Sequence, residues 1–500
     1  MVSKSKRPQL LGPDGRVLKK LASVSPAWSG ASTGRHGRNW MASNAGPSFI
    51  TWGSLSTLRN RARDLARNDP WIKRAAKVYV SNLVGKGIRP VAKTPDAQFN
   101  RDVMELWNDW NLECDVTGTT SFYGIQAMAA RGLYLSGENL VRFIYGASPT
   151  SLLPFQLQIM EPDYLDHTYL ATLENGNRII QGVEFGRYAP VAYHLFKDHP
   201  AEMVAGPNHF ERVRIPASEI LHQKLVDRPG QVRGVTELAS ILLKIMDVLE
   251  YEEAELTRKK FAAMFVAFVQ TLSDDAEALK TMFGSELNED GEEEAILESG
   301  TVQRLGAGET VTFTPAADVG GSYEPFIRQN HRALAAGSDT TYEEFTGDLS
   351  TVNFTSARVG LNTIRRIHEQ TQEFVLKPQL CVPVWKEFVQ QAILSGAIAM
   401  PKGYLDNPRP WLRVHFVSPG WPFVNPQQEE AAAQAAIRGG TESRANVAAE
   451  KGYDVDEIDR QQRRDLDRAD QLDLVYDTDP RKVSRAGNSN QTQPPQEEDK

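Results

Sequence analysis

Apolar residues recur at helical spacing through residues 54–84, where Leu58, Leu65, Trp71 and Val78 mark one face before Gly85 and Gly87 end the run. A second run, 96–113, aligns Val103, Leu106, Trp107 and Trp110, and a third helix is expected over 121–135. Two tryptophans three apart on a helix are core residues far more often than a base-stacking platform. The period then shortens to two. ENLVRFIY (138–145) and FQLQIM (155–160) read as strands, Asn175-Gly176 reads as a hairpin turn, and 191–196 reads as another strand. Residues 95–225 are therefore expected to form an α+β unit.

Helical spacing returns over 236–270. Leu238, Ile241, Ile245, Val248 and Leu249 form a stripe, followed by a charged section from Glu250 to Lys260. A helix of that length spans roughly 50 Å, more than a compact domain needs, which suggests packing against neighbouring copies. Short strands are expected at 301–305 and 310–314, with Gly306 to Thr310 turning between them, and a helix at 323–337. Then comes a polar loop, followed by an amphipathic helix for which Thr355 and Ser356 are candidate caps. Ala357, Gly360, Leu361, Ile364, Ile367 and Thr371 form its apolar face. Prolines punctuate the chain beyond it. A strand is expected at 412–417 and helices at 427–437, from a Thr441 cap to about 451, and at 456–472, before a polar tail from 479.

The net charge of −8 hides an asymmetry. Residues 1–93 carry 18 Lys and Arg against Asp14, Asp64 and Asp69, a net of +15 that leaves −23 for the remainder. The basic end reads either as an arm for phosphate or an acidic protein surface, or as a solvated tail. The acidic remainder argues against a tight, sequence-reading DNA binder, because phosphate neutralisation supplies most of that affinity. Two cysteines, Cys114 and Cys381, are too few for a disulfide framework or a cysteine zinc site, and a reducing compartment is expected. The longest strongly apolar run, 261–269, is far short of the roughly 20 residues a membrane-spanning helix needs.

The chain offers little catalytic grammar. HExxH, GxSxG and GxGxxG are absent, and Gly85-Lys86 is no phosphate loop because Val80 stands where that motif needs glycine. Glu161 and Asp163 flank Pro162 without a partner base in the sequence. Residues 271–298 hold ten Asp and Glu against Lys280, yet DGEEE lacks the alternating ligands of a calcium loop and reads equally as a solvated loop. No catalytic residue, cofactor or metal is expected.

Residues 348–358 also resemble the signature of the lambda-type portal proteins of tailed bacteriophages: Asp-x-Ser, Asn-aromatic, then Ser/Thr-Ser-Ala-Arg. Here these are Asp348, Ser350, Asn353, Phe354, Thr355, Ser356, Ala357 and Arg358. Segments 62–90, 121–142, 157–166, 317–337 and 424–458 resemble further blocks of that family, in the same order. The resemblance implies an α+β portal fold, with an α/β wing, long stem helices, a small clip and a helical C-terminal crown, assembled as a ring of twelve. On this reading a basic flexible arm covers 1–55, the wing 56–235, the stem helix 236–270 and the clip 271–323. The wing resumes over 324–424 with a tunnel loop and long helix, the crown covers 425–475, and a disordered tail 476–500.

The tunnel loop would comprise Gly347, Asp348, Leu349, Ser350, Thr351, Val352, Asn353 and Phe354. The clip would face the packaging motor through Glu286, Glu289, Asp290, Glu292, Glu293 and Glu294. Implied partners are further copies of the chain, the terminase large subunit, major capsid and scaffolding proteins, head-completion or adaptor proteins, and double-stranded DNA in transit. No membrane partner is expected. The implied place is a virion capsid vertex, after assembly in the host cytoplasm. Twelve copies at −8 would sum to −96, so DNA would slide rather than be gripped. The residues leave open a nucleic-acid-processing enzyme of a phage, or a capsid-associated structural protein that forms no ring.

Overall fold

Pro70 divides the helix expected over 54–84. In the computed structural model, α1 spans Pro47–Trp52, α2 Leu55–Asn68 and α3 Pro70–Leu83. Proline needs no amide partner in the first turn, and the Asp69 carboxylate accepts the Ile72 N–H at 2.7 Å. The structure describes residues 42–146, 151–202, 210–263, 267–270, 285–287, 293–295, 310–313, 323–350, 352–421, 426–476, 479 and 481. The expected flexible arm over 1–55 is corrected at its end. Residues 47–52 are helical and hydrogen-bonded to the body, and residues 1–41 lie outside the described set.

After β1 (Arg89–Ala92), the helices α4 (Ala97–Glu113) and α5 (Phe122–Ser136) follow the sequence pattern closely. Asp96 and Ser121 cap them, and Gly137 closes α5 at φ +77°. A Cβ on Gly137 would lie 2.2 Å from the Val235 backbone, so only glycine fits both the left-handed turn and the close approach. Trp107 and Trp110 are fully buried. Trp107 packs on Phe122, Trp385 and Phe388 at 5.0–5.3 Å, while Trp110 stacks on Phe155 and donates its indole N–H to the Phe155 carbonyl at 2.9 Å.

Strands β2 (Glu138–Tyr145), β3 (Phe155–Met160) and β9 (Ile220–Lys224) form an antiparallel sheet in the order β3-β2-β9. Five more make an antiparallel meander: β4 (Ala171–Thr172), β5 (Arg178–Ile180), β6 (Val183–Phe185), β7 (Pro190–Phe196) and β8 (Arg212–Pro216). The Asn175-Gly176 turn joins β4 to β5, with Thr172 opposite Arg178 and Gly176 at φ +82°. The larger hydrophobic core lies among α3, α4, α5 and the helix bearing Trp385, and a smaller one, including Leu140, Leu165, Tyr193 and Ile215, serves the meander.

The long helix expected over 236–270 is shorter. A 3₁₀ turn at Glu237–Ser240 leads into α6 (Leu242–Ala263), whose 22 residues span roughly 33 Å. Ala267–Gln270 is instead strand β10, paired antiparallel with β13 (Thr310–Phe313). Phe268 and Val269 suit a strand once a partner exists, and that partner lies some forty residues downstream, beyond any local pattern. The turn expected between 301–305 and 310–314 therefore does not set the pairing of 310–313, and residues 301–309 lie outside the described set. A second short pair joins β11 (Ser285–Leu287) to β12 (Glu293–Ala295).

The C-terminal half begins with α7 (Tyr323–Gly337), α8 (Tyr342–Thr346) and α9 (Phe354–Thr371). Helix α9 runs without a break through π-helical turns at Gln372–Cys381 into α10 (Val382–Leu394). Pro378 sits inside the π segment, where its missing N–H and its ring disfavour α-helical hydrogen bonding. Strand β14 (Val414–Val417) pairs with β1, with Arg89 opposite Val417. Helices α11 (Pro426–Arg438), α12 (Arg444–Glu450) and α13 (Val455–Gln471) end the described body. Ser443, not Thr441, caps α12. Its hydroxyl accepts the Asn446 N–H at 3.1 Å, whereas the Thr441 hydroxyl donates to the Ala436 carbonyl.

Candidate functional site

The candidate loop hangs between two capped helices. Helix α8 starts in a capping box, with Thr341 Oγ1 accepting the Glu344 N–H and Glu344 Oε2 accepting the Thr341 N–H. Thr341 and Glu344 stand three apart in the sequence, so this signal was readable there. Phe345 is fully buried against Trp71 and His331, and Gly347 ends α8 at φ +77°. From α3, Arg74 Nε donates to the Glu344 carbonyl at 2.7 Å and Asn82 Nδ2 to Glu344 Oε1 at 3.0 Å. The loop thus leaves a fixed base.

Within the loop, Asp348 Oδ1 accepts both the N–H and the hydroxyl of Ser350, at 2.9 and 2.6 Å, and Tyr342 donates its hydroxyl to Oδ2. These Ser350 bonds favour the ionised carboxylate and hold Asp348 below the usual carboxylate range. Leu349, Ser350 and Asn353 are exposed. Asn353, rather than Thr355 or Ser356, is the cap of α9: its Oδ1 accepts the Ser356 N–H at 2.9 Å and the Ser356 hydroxyl at 2.5 Å. Phe354 is the first residue of that helix, which corrects the loop's limit to Asn353, and Thr351 lies outside the described residues. Asn353→Ala is expected to cost about 1 kcal/mol at the helix start, read as roughly fivefold faster amide exchange at Ser356 and Ala357.

Helix α9 is unusually bare. Among its described side chains only His368 is buried, and Val359 is 63% exposed. Arg358 reaches Glu429 of α11 at 3.5 Å, and Arg365 lies over the Trp421 ring. His368 meets Tyr79 edge-on at 5.3 Å, and neither ring nitrogen has a partner among the described residues. Burial, opposed weakly by Glu344, pushes its pKa down from 6.5 to about 4. The unfolded chain therefore takes a proton near pH 6.5 that the folded chain refuses until about pH 4. Its stability contribution is present above that window and is lost as pH falls through it. Glu237 acts oppositely, because burial and then Asp339 raise it to about 7. The wild type is therefore expected to lose about 3 kcal/mol relative to His368→Phe between pH 7 and pH 4, measured by denaturant unfolding of both.

A charged hub joins α2, β2, β9 and residues 233–234. Glu138 is fully buried, with Arg233 Nη2 at 2.6 Å, Arg59 Nη2 at 2.9 Å, His222 Nε2 at 2.9 Å and the Gly234 N–H at 2.9 Å. Arg233 also donates to the carbonyls of Leu165, Gln181 and Pro162. Burial alone would raise the Glu138 carboxyl, but Arg233, His222 and Arg59 outweigh it and hold it well below the usual range. Sequence reading missed this hub. Its partners lie up to 96 residues from Glu138, and its faint trace is one glutamate opening the apolar strand ENLVRFIY.

Glu161, Asp163 and His199 are the set of three possible metal-binding side chains among the described residues, with donor atoms within 4.8 Å of one another. Guanidiniums already occupy it: Arg63 lies 2.7 Å from Asp163 and 3.5 Å from Glu161, and Arg59 lies 3.1 Å from Asp163. His199 Nδ1 accepts the Ala201 N–H, which leaves its proton on Nε2, facing Glu161 at 3.2 Å. A metal would need that nitrogen's lone pair, so the donors fit an ion-pair network instead. Of the candidate clip acids, Glu286 lies in β11 and Glu293 and Glu294 in β12, while Glu289, Asp290 and Glu292 lie outside the described residues.

The chain belongs to the lambda family of phage portal proteins, whose family model matches residues 33–372. It is 29% identical over 482 residues to the probable portal protein of Halomonas phage phiHAP-1, covering 92% of this chain and 90% of that one. It is 22% identical to the portal protein of Escherichia phage N15, covering 92% and 93%, and 21% identical to portal protein B of Escherichia phage lambda, covering 92% of each. Among solved structures it resembles a chain of the neck of a native GTA particle computed with C12 symmetry (13% identity, TM-score 0.43, 80% of this chain and 93% of that one). It also resembles an HK97 family phage portal protein from Corynebacterium diphtheriae (11% identity, TM-score 0.27, 72% and 95%).

Proposed function

We propose that copies of this chain close into a ring, of twelve subunits, at one vertex of a phage capsid, and that the ring conducts double-stranded DNA during packaging and ejection. The observation that carries this reading is the bareness of α9. An amphipathic helix of 18 residues whose apolar face is only half-buried, with one fully buried side chain among those described, is incompletely covered within its own subunit. A neighbouring copy supplies that cover. The loop at residues 347–353 then projects from the ring wall toward the channel. It presents a charged Asp348 and small polar groups, which suit sliding past phosphate rather than gripping it.

On this reading α6 forms part of the stem and the helices α11–α13 the crown. The acidic segment around β11 and β12 docks the terminase large subunit and later the head-completion or adaptor proteins. In that strand pair Glu286 is the register partner of Glu294. Major capsid and scaffolding proteins would surround the ring, which assembles in the host cytoplasm and stays in the virion. Electron microscopy and native mass measurement of the purified protein test this. Closed rings are expected, and a monomer or small oligomer under all conditions would overturn the reading.

A further inference from the structure

Helix α1 turns its apolar side outward. Phe49 is 71% exposed, and Ile50 and Trp52 are each 43% exposed. The helix is nonetheless fixed in place. Gln181 Nε2 donates to the Ser48 carbonyl at 2.8 Å and to Thr51 Oγ1 at 3.2 Å, Ser48 donates to the Gly230 carbonyl, and Arg228 to the Ala45 carbonyl. Residues 42–58 carry no charge. A pinned, uncharged knob of two aromatics and an isoleucine is a surface built for contact.

The same chain carries an unfilled cleft of about 450 Å³ between α2, α5 and β3. Met128, Ile159 and Met160 give it an adaptable apolar floor, and Arg67 and Arg131 rim it. Arg131 has no ion-pair partner among the described residues. Guanidinium planes beside an apolar floor suit aromatic rings, through cation–π contact as well as burial. Asn139, 3% exposed, also lines the cleft. Its Nδ2 donates to the Ala129 carbonyl, and its Oδ1 has no partner among the described residues. Trp52 brings an indole N–H, and an acceptor-only phosphate could not supply that donor.

We propose that Phe49, Ile50 and Trp52 of one copy seat in this cleft on a second copy. The hydrogen bonds that pin α1 keep it from folding back into its own cleft. Knob and cleft are different patches, so the contact is heterologous: each copy offers one of each, and the series can close into a ring. The inference rests on the ring reading and deepens it by naming the two surfaces.

Two variants test it: Phe49→Ser with Trp52→Ser on the knob, and Met128→Glu in the cleft, where Met128 is 43% exposed and the fold tolerates a charge. Each is expected to need at least about tenfold more protein to form rings, with an unchanged thermal transition. Mixed together, they should form dimers through the one intact junction but no rings. A Trp52→Cys, Met128→Cys double variant, oxidised with copper phenanthroline, should give a ladder of cross-linked copies; both native cysteines are buried. Wild-type-like rings from both variants and no ladder would overturn the proposal while leaving the ring standing. A wild type that forms no rings would overturn the ring reading, and the ladder would then judge the contact alone.

Discussion

Glu138→Ala is expected to lower the unfolding free energy by about 3–5 kcal/mol, a large share of the roughly 5–15 kcal/mol that ordinary domains have. The variant leaves Arg233, fully buried, and Arg59, 3% exposed, without the carboxylate that offsets their desolvation. The carboxylate also accepts the Gly234 N–H, so one substitution strips partners from α2, β9 and the 233–234 segment together. Glu138→Gln keeps the shape and one acceptor and should fall between the two. Urea unfolding followed by circular dichroism measures this, and a loss under about 1 kcal/mol would mean that water replaces the missing partner. Removing both charges, with Glu138→Leu and Arg233→Met, should recover part of the loss, because the fully buried guanidinium goes with the carboxylate and Arg59 keeps Asp163 at 3.1 Å.

Replacing residues 347–353 with a glycine linker is expected to leave rings intact and reduce DNA packaging to background. The base of the loop is held independently of its tip. Phe345 is buried, Arg74 and Asn82 bind Glu344, and α9 continues into a buried segment beyond His368. A linker loses the Asp348–Ser350 turn and the Asn353 cap, and with them the loop's shape and charge. The cap accounts for only about 1 kcal/mol, so the fold should survive. Electron microscopy scores the rings and nuclease-protected DNA scores packaging. Normal packaging would remove the loop from the channel's working parts, and loss of rings would make it an assembly element.

What was legible in the sequence was what depends on near neighbours. Trp107 and Trp110 announced a core helix, Asn175-Gly176 a hairpin, and the runs ENLVRFIY and FQLQIM two strands. Two of the misses share one cause. Residues 267–270 became a strand through pairing with 310–313, and the Glu138 hub gathers groups from four distant segments. Neither leaves a periodic trace. The cap of α9 failed differently. Asn353, Thr355 and Ser356 were all chemically able to cap, and backbone geometry chose Asn353, with Ser356 becoming its donor. The loop was found through family resemblance, because polar loop residues carry no period of their own.

The π-helical turns at Gln372–Cys381 separate two unlike lengths of one rod. Beyond them Trp385, Phe388 and Val389 are fully buried, while before them only His368 is buried among the described side chains of α9. The rod is therefore held most firmly at its C-terminal end, and its N-terminal end joins a loop whose other end is fixed through Glu344 and Phe345. At the junction the wider turns and Pro378 interrupt regular α-helical bonding, the usual place for a long helix to change direction.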